Sequence, residues 1–369
     1  MPRPRVRETG FRIGELPPGP LNALTDVAGV RIGHTTLVTG EGPLRPGVGP
    51  VRTGVTVILP HGENLFRQKV RGAVHTINGF GKACGFEEVR ELGVIEAPIA
   101  LTNTLNVGLV ADALVEYAIR QSPEIGVRTG TVNVVVGECN DGFLNDIQGR
   151  HIRAPHVHAA IEAAAEGPVA EGTVGAGAGT TCCGWKGGIG TASRVLPAEA
   201  GGFTVGALVQ SNFGRPQDLT ICGVPVGRHL EPPPPVVERG SIMIVLATDT
   251  PLDARQLHRL CVRAGVGLAR TGSHHAHGSG EFVIAFSTAH RIEHSPAALT
   301  TTRTVLADEG GAMRWLFPAV ADCVEEAILN SLFRAETVVG RDGHVRHALP
   351  VEVVCRLIGT TVGAGGGSA

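Results

Sequence analysis

Ser241 is placed to act as an unusual nucleophile. It follows Glu238-Arg239-Gly240 and opens the run Ser241-Ile242-Met243-Ile244-Val245-Leu246-Ala247, whose β-branched, apolar character is that of a buried strand. Upstream lies Glu231-Pro232-Pro233-Pro234-Pro235, which cannot enter a sheet interior because proline has a fixed φ and no N–H donor. A cut between Gly240 and Ser241 would give one residue both a hydroxyl nucleophile and an α-amine. The reference pKa of that amine, about 8, makes it a usable general base. The same local pattern also fits an ordinary loop-to-strand transition.

Other polar groups stand where apolar runs begin or end. Asn212 closes one in Gln210-Ser211-Asn212-Phe213-Gly214, and Ser279-Gly280-Glu281 opens another. Asn103 precedes a helical pattern, and Glu138 follows the mostly apolar residues 132–136 between Gly137 and Cys139. A carboxylate at a strand end with neutral neighbours suits a bound cation. Each residue also has a structural reading: Asn212 can close a turn, Asn103 can cap a helix, and Glu281 can face solvent. The cluster His274-His275-Ala276-His277 has glycines on both sides and neither HExxH nor cysteine-pair spacing, so no metal site is expected. The stretch Gly175-Ala176-Gly177-Ala178-Gly179-Thr180 lacks the GxxxxGK[ST] of a phosphate loop, and Lys186 follows a tryptophan. No GxSxG elbow is present, which argues against an α/β-hydrolase. No cofactor is expected.

Rigid elements must hold such groups. Strand patterns cover 55–59, 131–137, 203–210, 241–247 and 281–287, and helical spacing covers 107–120, 156–165 and about 316–333. A further helix is predicted to start with Thr250 as N-cap, Pro251 at its first position and Asp253 three residues after the cap. Its apolar stripe is Leu252, Leu257, Leu260, Cys261, Ala264 and Leu268. Glycine-rich loops are expected over 172–190 and 272–280, a linker over 231–240 and a flexible tail over 363–369. Strand and helix alternating around one seam predict a layered α+β domain.

Composition narrows the classes. Lys+Arg 32 against Asp+Glu 34 gives a formal charge of −2, so no basic field favours nucleic acid. The amino-terminal stretch carries Arg3, Arg5 and Arg7 but lacks the apolar core of a signal peptide, and no run approaches the ~18 apolar residues of a membrane span. A soluble, cytoplasmic protein without a membrane partner is expected. The eight cysteines lack CxxC spacing and are read as small buried side chains rather than disulfides or zinc ligands.

Taken in order, many segments resemble the DmpA-type family of L-aminopeptidase/D-esterase-amidase enzymes, which includes β-peptidyl aminopeptidases. The matching segments are Asn22-Ala23-Leu24-Thr25-Asp26-Val27-Ala28-Gly29-Val30, Asn64-Leu65-Phe66-Arg67-Gln68-Lys69-Val70 and Ile77-Asn78-Gly79-Phe80-Gly81-Lys82. They continue with Leu101-Thr102-Asn103-Thr104-Leu105, Asn140-Asp141-Gly142-Phe143-Leu144-Asn145-Asp146 and Gly184-Trp185-Lys186-Gly187-Gly188-Ile189-Gly190-Thr191-Ala192-Ser193-Arg194. The last are Gln210-Ser211-Asn212-Phe213-Gly214, Arg239-Gly240-Ser241 and Gly278-Ser279-Gly280-Glu281. The resemblance implies one hydrolase domain over the whole chain, a four-layer αββα sandwich layered like the N-terminal-nucleophile hydrolases but connected differently. It also implies a precursor that cuts itself between Gly240 and Ser241 into an α chain, 1–240, and a β chain, 241–369. Such αβ pairs commonly assemble as tetramers.

Carried onto this chain, the resemblance makes Ser241 the nucleophile, Ser279 and Glu281 its supporting pair, and Asn212 the oxyanion donor. Glu138 becomes the acid that holds the substrate's amino group, and Asn140 and Phe143 line the substrate side. Some members have a tyrosine two positions after that glutamate, where this chain has Asn140, so the pocket must differ. The expected activity is removal of the amino-terminal residue from short peptides, amides or esters. Two alternatives are an amidase for a pantetheine- or oligoamide-like compound and an unprocessed oligomeric binding protein.

Overall fold

The computed structural model describes residues 3–230 and 240–365. The proline run, Glu238, Arg239 and the last residues of the expected tail, 366–369, lie outside the described residues. In chain order the strands are β1 (Arg31–Thr39), β2 (Val51–Leu59), β3 (Gln68–Gly79), β4 (Val94–Ile95), β5 (Ile99–Asn103), β6 (Val135–Cys139), β7 (Thr181–Cys182) and β8 (Trp185–Lys186). They continue as β9 (Ile189–Val195), β10 (Thr204–Asn212), β11 (Gly240–Thr248), β12 (Ser279–Glu293), β13 (Val338–Val339) and β14 (Val345–Arg346). The helices are α1 (Phe86–Leu92), α2 (Val107–Gln121), α3 (Ala154–Glu162), α4 (Ala254–Arg270), α5 (Met313–Arg334) and α6 (Val351–Gly365).

Two sheets dominate, one in the order β1-β2-β5-β6 and one in the order β4-β3-β12-β11-β10-β9. Side chains alternate across a strand, so each sheet has two faces to cover. Between the sheets, Ile58, Leu101 and Val135 of the first pack with Leu208, Met243 and Ile284 of the second. The outer face of the smaller sheet, including Val57 and Val136, lies under Leu114 of α2 and Val157 of α3. The outer face of the larger sheet, including Val209, Ile242 and Val283, lies under Leu260 of α4 and Ile328 of α5. Helices, sheet, sheet and helices give the expected four-layer αββα sandwich. Burial on both faces explains why strands such as β2 and β11 read as continuous apolar runs rather than alternations.

Close approach of the layers depends on missing side chains. A Cβ on Gly190 of β9 would lie 1.9 Å from the Ala327 carbonyl oxygen of α5, and one on Gly137 of β6 would lie 2.2 Å from the Met243 Cε. Five of the eight cysteines are buried and three are half-buried. Among the described residues, no helix is long and apolar enough to cross a membrane.

Three expectations are corrected. The cap of α4 is Asp253, whose side chain accepts the Gln256 N–H at 2.7 Å while the Gln256 side chain accepts the Asp253 N–H at 3.1 Å. Thr250 stays outside the helix, its hydroxyl 2.8 Å from that of Thr248. Two capping patterns overlap in this sequence, and the one that satisfies two orphan donors reciprocally prevails. The strand expected over 131–137 begins only at Val135, and α6 continues through Gly365 into the expected tail.

Candidate active site

Ser241 is the second residue of β11, in the middle of the six-stranded sheet. It pairs antiparallel with Asn212, the last residue of β10, and parallel with Gly280, the second residue of β12. Neighbouring strands therefore bring these residues together without a loop to hold them. The Asn212 Nδ2 donates to the Ser241 Oγ at 3.2 Å, and its Oδ1 accepts the Thr181 N–H at 2.9 Å. The second bond assigns which end of the amide faces the serine. Beside Ser241, the buried Cys139 thiol donates to the Gln210 carbonyl, and burial pushes its pKa well up, so it remains neutral.

Ser241, Asn212 and Gly240 line a cavity of about 730 Å³, which Thr104, Glu138, Asn140 and Phe143 also line. The Glu138 carboxylate, at the end of β6, is buried, with one oxygen accepting the Lys82 N–H at 3.0 Å and the other the Thr104 hydroxyl. Burial raises its pKa, while the Thr104 hydroxyl and the Lys82 N–H and charge pull it back. A carboxylate held this way is oriented and partly desolvated, so a cation entering the cavity would meet a strong partner. Asn140 is exposed, and its Oδ1 accepts the Gly142 N–H at 2.9 Å, which closes a turn. Phe143 stacks on His344 with ring centroids 4.5 Å apart and carries the Arg346 guanidinium 3.6 Å from its ring centroid.

Ser279 and Glu281, the pair expected to support the Ser241 amine and hydroxyl, do not lie beside the hydroxyl. Gly280 is the residue paired with Ser241, so its two neighbours point to the opposite face, the one that α4 and α5 cover. There the Ser279 Oγ donates to Glu281 Oε1 at 3.0 Å, and the His275 ring hydrogen-bonds Glu281 Oε2. Among the described residues, no hydrogen bond joins either side chain to the Ser241 hydroxyl. Both line a smaller recess with Gly240, Gly272 and His274. Gly240 lines both spaces, so the Gly240-Ser241 peptide lies between them.

Other singled-out residues have structural tasks. Asn103 caps the turn before α2, its Oδ1 accepting the N–H groups of Leu105 and Asn106 at 3.2 and 3.1 Å. The histidines diverge: His275 meets Glu281, His274 is 3.9 Å from Asp218, and His277 faces Phe80. Lys186 is fully buried, its ammonium nitrogen donating to the Gly177 and Gly187 carbonyls at 2.8 and 2.7 Å.

The model of peptidase family S58 matches residues 22–346. The chain belongs to peptidase family S58. The beta-peptidyl aminopeptidase BapA of Sphingosinicella xenopeptidilytica is 40% identical over 374 residues, covering 96% of this chain and 91% of that protein. Among solved structures, the PH0078 protein of Pyrococcus horikoshii OT3 is 49% identical with a TM-score of 0.93, covering 97% of this chain and 99% of that one. The L-aminopeptidase D-Ala-esterase/amidase of Ochrobactrum anthropi, described as a variant of the Ntn hydrolase fold, has a TM-score of 0.88 at 37% identity over 97% and 99% of the two chains.

In this S58 peptidase several residues at the site carry no role legible in the sequence. Thr104 and Lys82 stand inside segments already noted for their resemblance, so a signal was present. The histidine cluster offers His275 only the reading of a metal ligand. Arg341 and Arg346 lie a hundred residues or more beyond the serine in a segment without a motif, and no local pattern announces them.

Proposed function

We propose that this S58 peptidase is a self-processing serine aminopeptidase acting on short peptides, amides or esters with a free amino terminus. One observation carries the reading: the Ser241 hydroxyl, the Asn212 amide 3.2 Å from it and the buried Glu138 line a single cavity beside the Gly240-Ser241 bond. In the precursor, the Ser241 Oγ attacks the Gly240 carbonyl carbon, the peptide nitrogen takes up a proton and leaves as the Ser241 amine, and water hydrolyses the ester. The freed amine then lies at the boundary that Gly240 occupied, within the reach of the Ser279–Glu281 side of the sheet. That pair, with His275 on Glu281, orients the amine and tunes its proton affinity. With substrate bound, the amine takes the Oγ proton as Oγ attacks the acyl carbon, and returns it to the leaving nitrogen or oxygen; water then hydrolyses the acyl ester and frees Oγ. Asn212 donates to the oxyanion, and Glu138 binds the substrate ammonium. The name of the BapA relative supports including β-aminoacyl compounds among the substrates tested.

Assembly into a homo-oligomer of αβ pairs and a cytoplasmic location belong to the same proposal. Neither the non-peptide amidase nor the non-enzymatic binding protein gains support from the family match. On a denaturing gel the purified protein is expected to give two bands, with Ser241 at the start of the smaller by terminal sequencing. Ser241→Ala is expected to give one band near 38.3 kDa. A parent that stays whole yet releases amino-terminal residues would sink the amine-base mechanism.

A further inference from the structure

We infer that Arg346 forms an anion subsite in the Ser241 cavity that selects substrates with a free carboxylate on the leaving group, dipeptides above all. The inference rests on the aminopeptidase reading, since an ammonium held by Glu138 places any remaining terminal carboxylate beyond the scissile bond.

Arg346, on β14, lines the cavity and is 3% exposed. Its buried Nε has no hydrogen-bond partner, and its Nη1 makes one long bond, 3.3 Å, to the Val345 carbonyl. No carboxylate pairs with it among the described residues, and burial pushes its pKa down to about 10. Among the described residues, the two other buried guanidiniums are met differently. Arg52 donates to the carbonyls of Thr39, Gly40, Val51 and Val339, and Arg194 is paired with Glu326 at 2.6 Å. Arg341, the other arginine of the cavity, bonds the Gly142 carbonyl at 2.8 Å and Asp342 at 2.9 Å. The Arg194 Nε is also without a partner, but among these four Arg346 alone has no carboxylate and no more than a single carbonyl to meet it.

A buried guanidinium without an anion is costly, and the Phe143 ring beneath it offsets part of that cost without supplying an acceptor. A carboxylate matches the planar donor fork in shape as well as charge. Glu138 gives the same cavity the opposite charge. Its volume, about 730 Å³, is ample for a small ligand. A short zwitterionic peptide, ammonium on Glu138 and carboxylate on Arg346, satisfies both buried charges at once.

The test compares kcat/KM for a dipeptide and for its carboxy-terminal amide. The parent is expected to prefer the free acid by about 10- to 100-fold, the range for a hydrogen-bonded charge. In Arg346→Met the acid-to-amide ratio is expected to fall towards one, and Arg346→Lys to keep part of it, since a lone ammonium retains charge without the fork. Calorimetric titration of the parent with a reduced-amide dipeptide isostere and its carboxamide should give the same preference. A parent ratio of one, or a preference unchanged in Arg346→Met, overturns the subsite. Should that variant fail to fold by circular dichroism, an undiminished ratio in Arg346→Lys does the same. A parent that cleaves neither compound defeats the aminopeptidase reading instead, and the calorimetric preference then judges Arg346 by itself.

Discussion

Asn212 and Ser241 meet because two strands end in register, and their contact sets what substitutions should do. Asn212→Ala removes the amide donor aimed at the Ser241 hydroxyl. It is expected to lower kcat by about 100- to 1,000-fold with little change in KM, as measured by steady-state kinetics on processed enzyme. Glu138 predicts a pH effect of definite sign. Its carboxylate binds an ammonium only when ionised, and burial raises its pKa above the usual range near 4.3. Affinity for a non-hydrolysable amine ligand is therefore full above that raised pKa and is lost as pH falls through it. Bound ammonium stabilises the ionised form, so the pKa is lower in the complex than in the free enzyme. Glu138→Gln should bind weakly at every pH, and a parent profile flat across the acid range would remove Glu138 as the anchor. At this scale the sequence exposed the candidates but not their contacts. Asn103 and Asn212 look alike in the chain, each an asparagine after an apolar run, yet one caps a helix and the other faces the serine.

The elements show where local reading succeeds and where neighbours overrule it. Leu257, Leu260, Cys261, Ala264 and Leu268 of α4 are all buried, as their spacing requires, because an amphipathic stripe leaves a helix one way to face a core. The same helix starts later than its sequence pattern suggests because Thr250 is engaged elsewhere: its hydroxyl meets Thr248, and its carbonyl accepts the Ser287 hydroxyl at 2.6 Å. Asp253→Ala should therefore cost about 1 kcal/mol in urea unfolding, the worth of a working cap. Packing between elements gives a second prediction. Gly190→Ala would push a methyl against the Ala327 carbonyl, and separating β9 from α5 should cost about 1–3 kcal/mol, read as a lowered urea midpoint with an unchanged slope.

Across the whole molecule, the proposed cut separates pieces that remain interleaved. In the larger sheet β12 and β11, from beyond Gly240, lie between β3 on one side and β10 on the other, so pairings on both edges span the break. The carboxylate of Glu326, fully buried in α5, holds Arg194 at 2.6 Å and Arg7 at 2.8 Å across the same divide. The two pieces are expected to co-elute on native size exclusion and to separate only in denaturant. Glu326→Ala leaves buried guanidinium without its anion and should destabilise the processed protein by about 3–5 kcal/mol, measured by urea unfolding.

Composition and periodicity determined the layered α+β class, the strand that Ser241 opens, and the amphipathic helices, because these follow from where the chain's own apolar residues fall. Ordered resemblance added the roles expected of residues already singled out, the proposed cut at Gly240-Ser241 among them. Tertiary structure alone decided that Ser279 and Glu281 face away from the Ser241 hydroxyl while Asn212 reaches it. It alone brought Arg346 and Phe143 to the wall shared with Glu138. The physical reason is register: a shift of one residue between paired strands exchanges the two faces, and no local sequence pattern records which partner residue lies opposite.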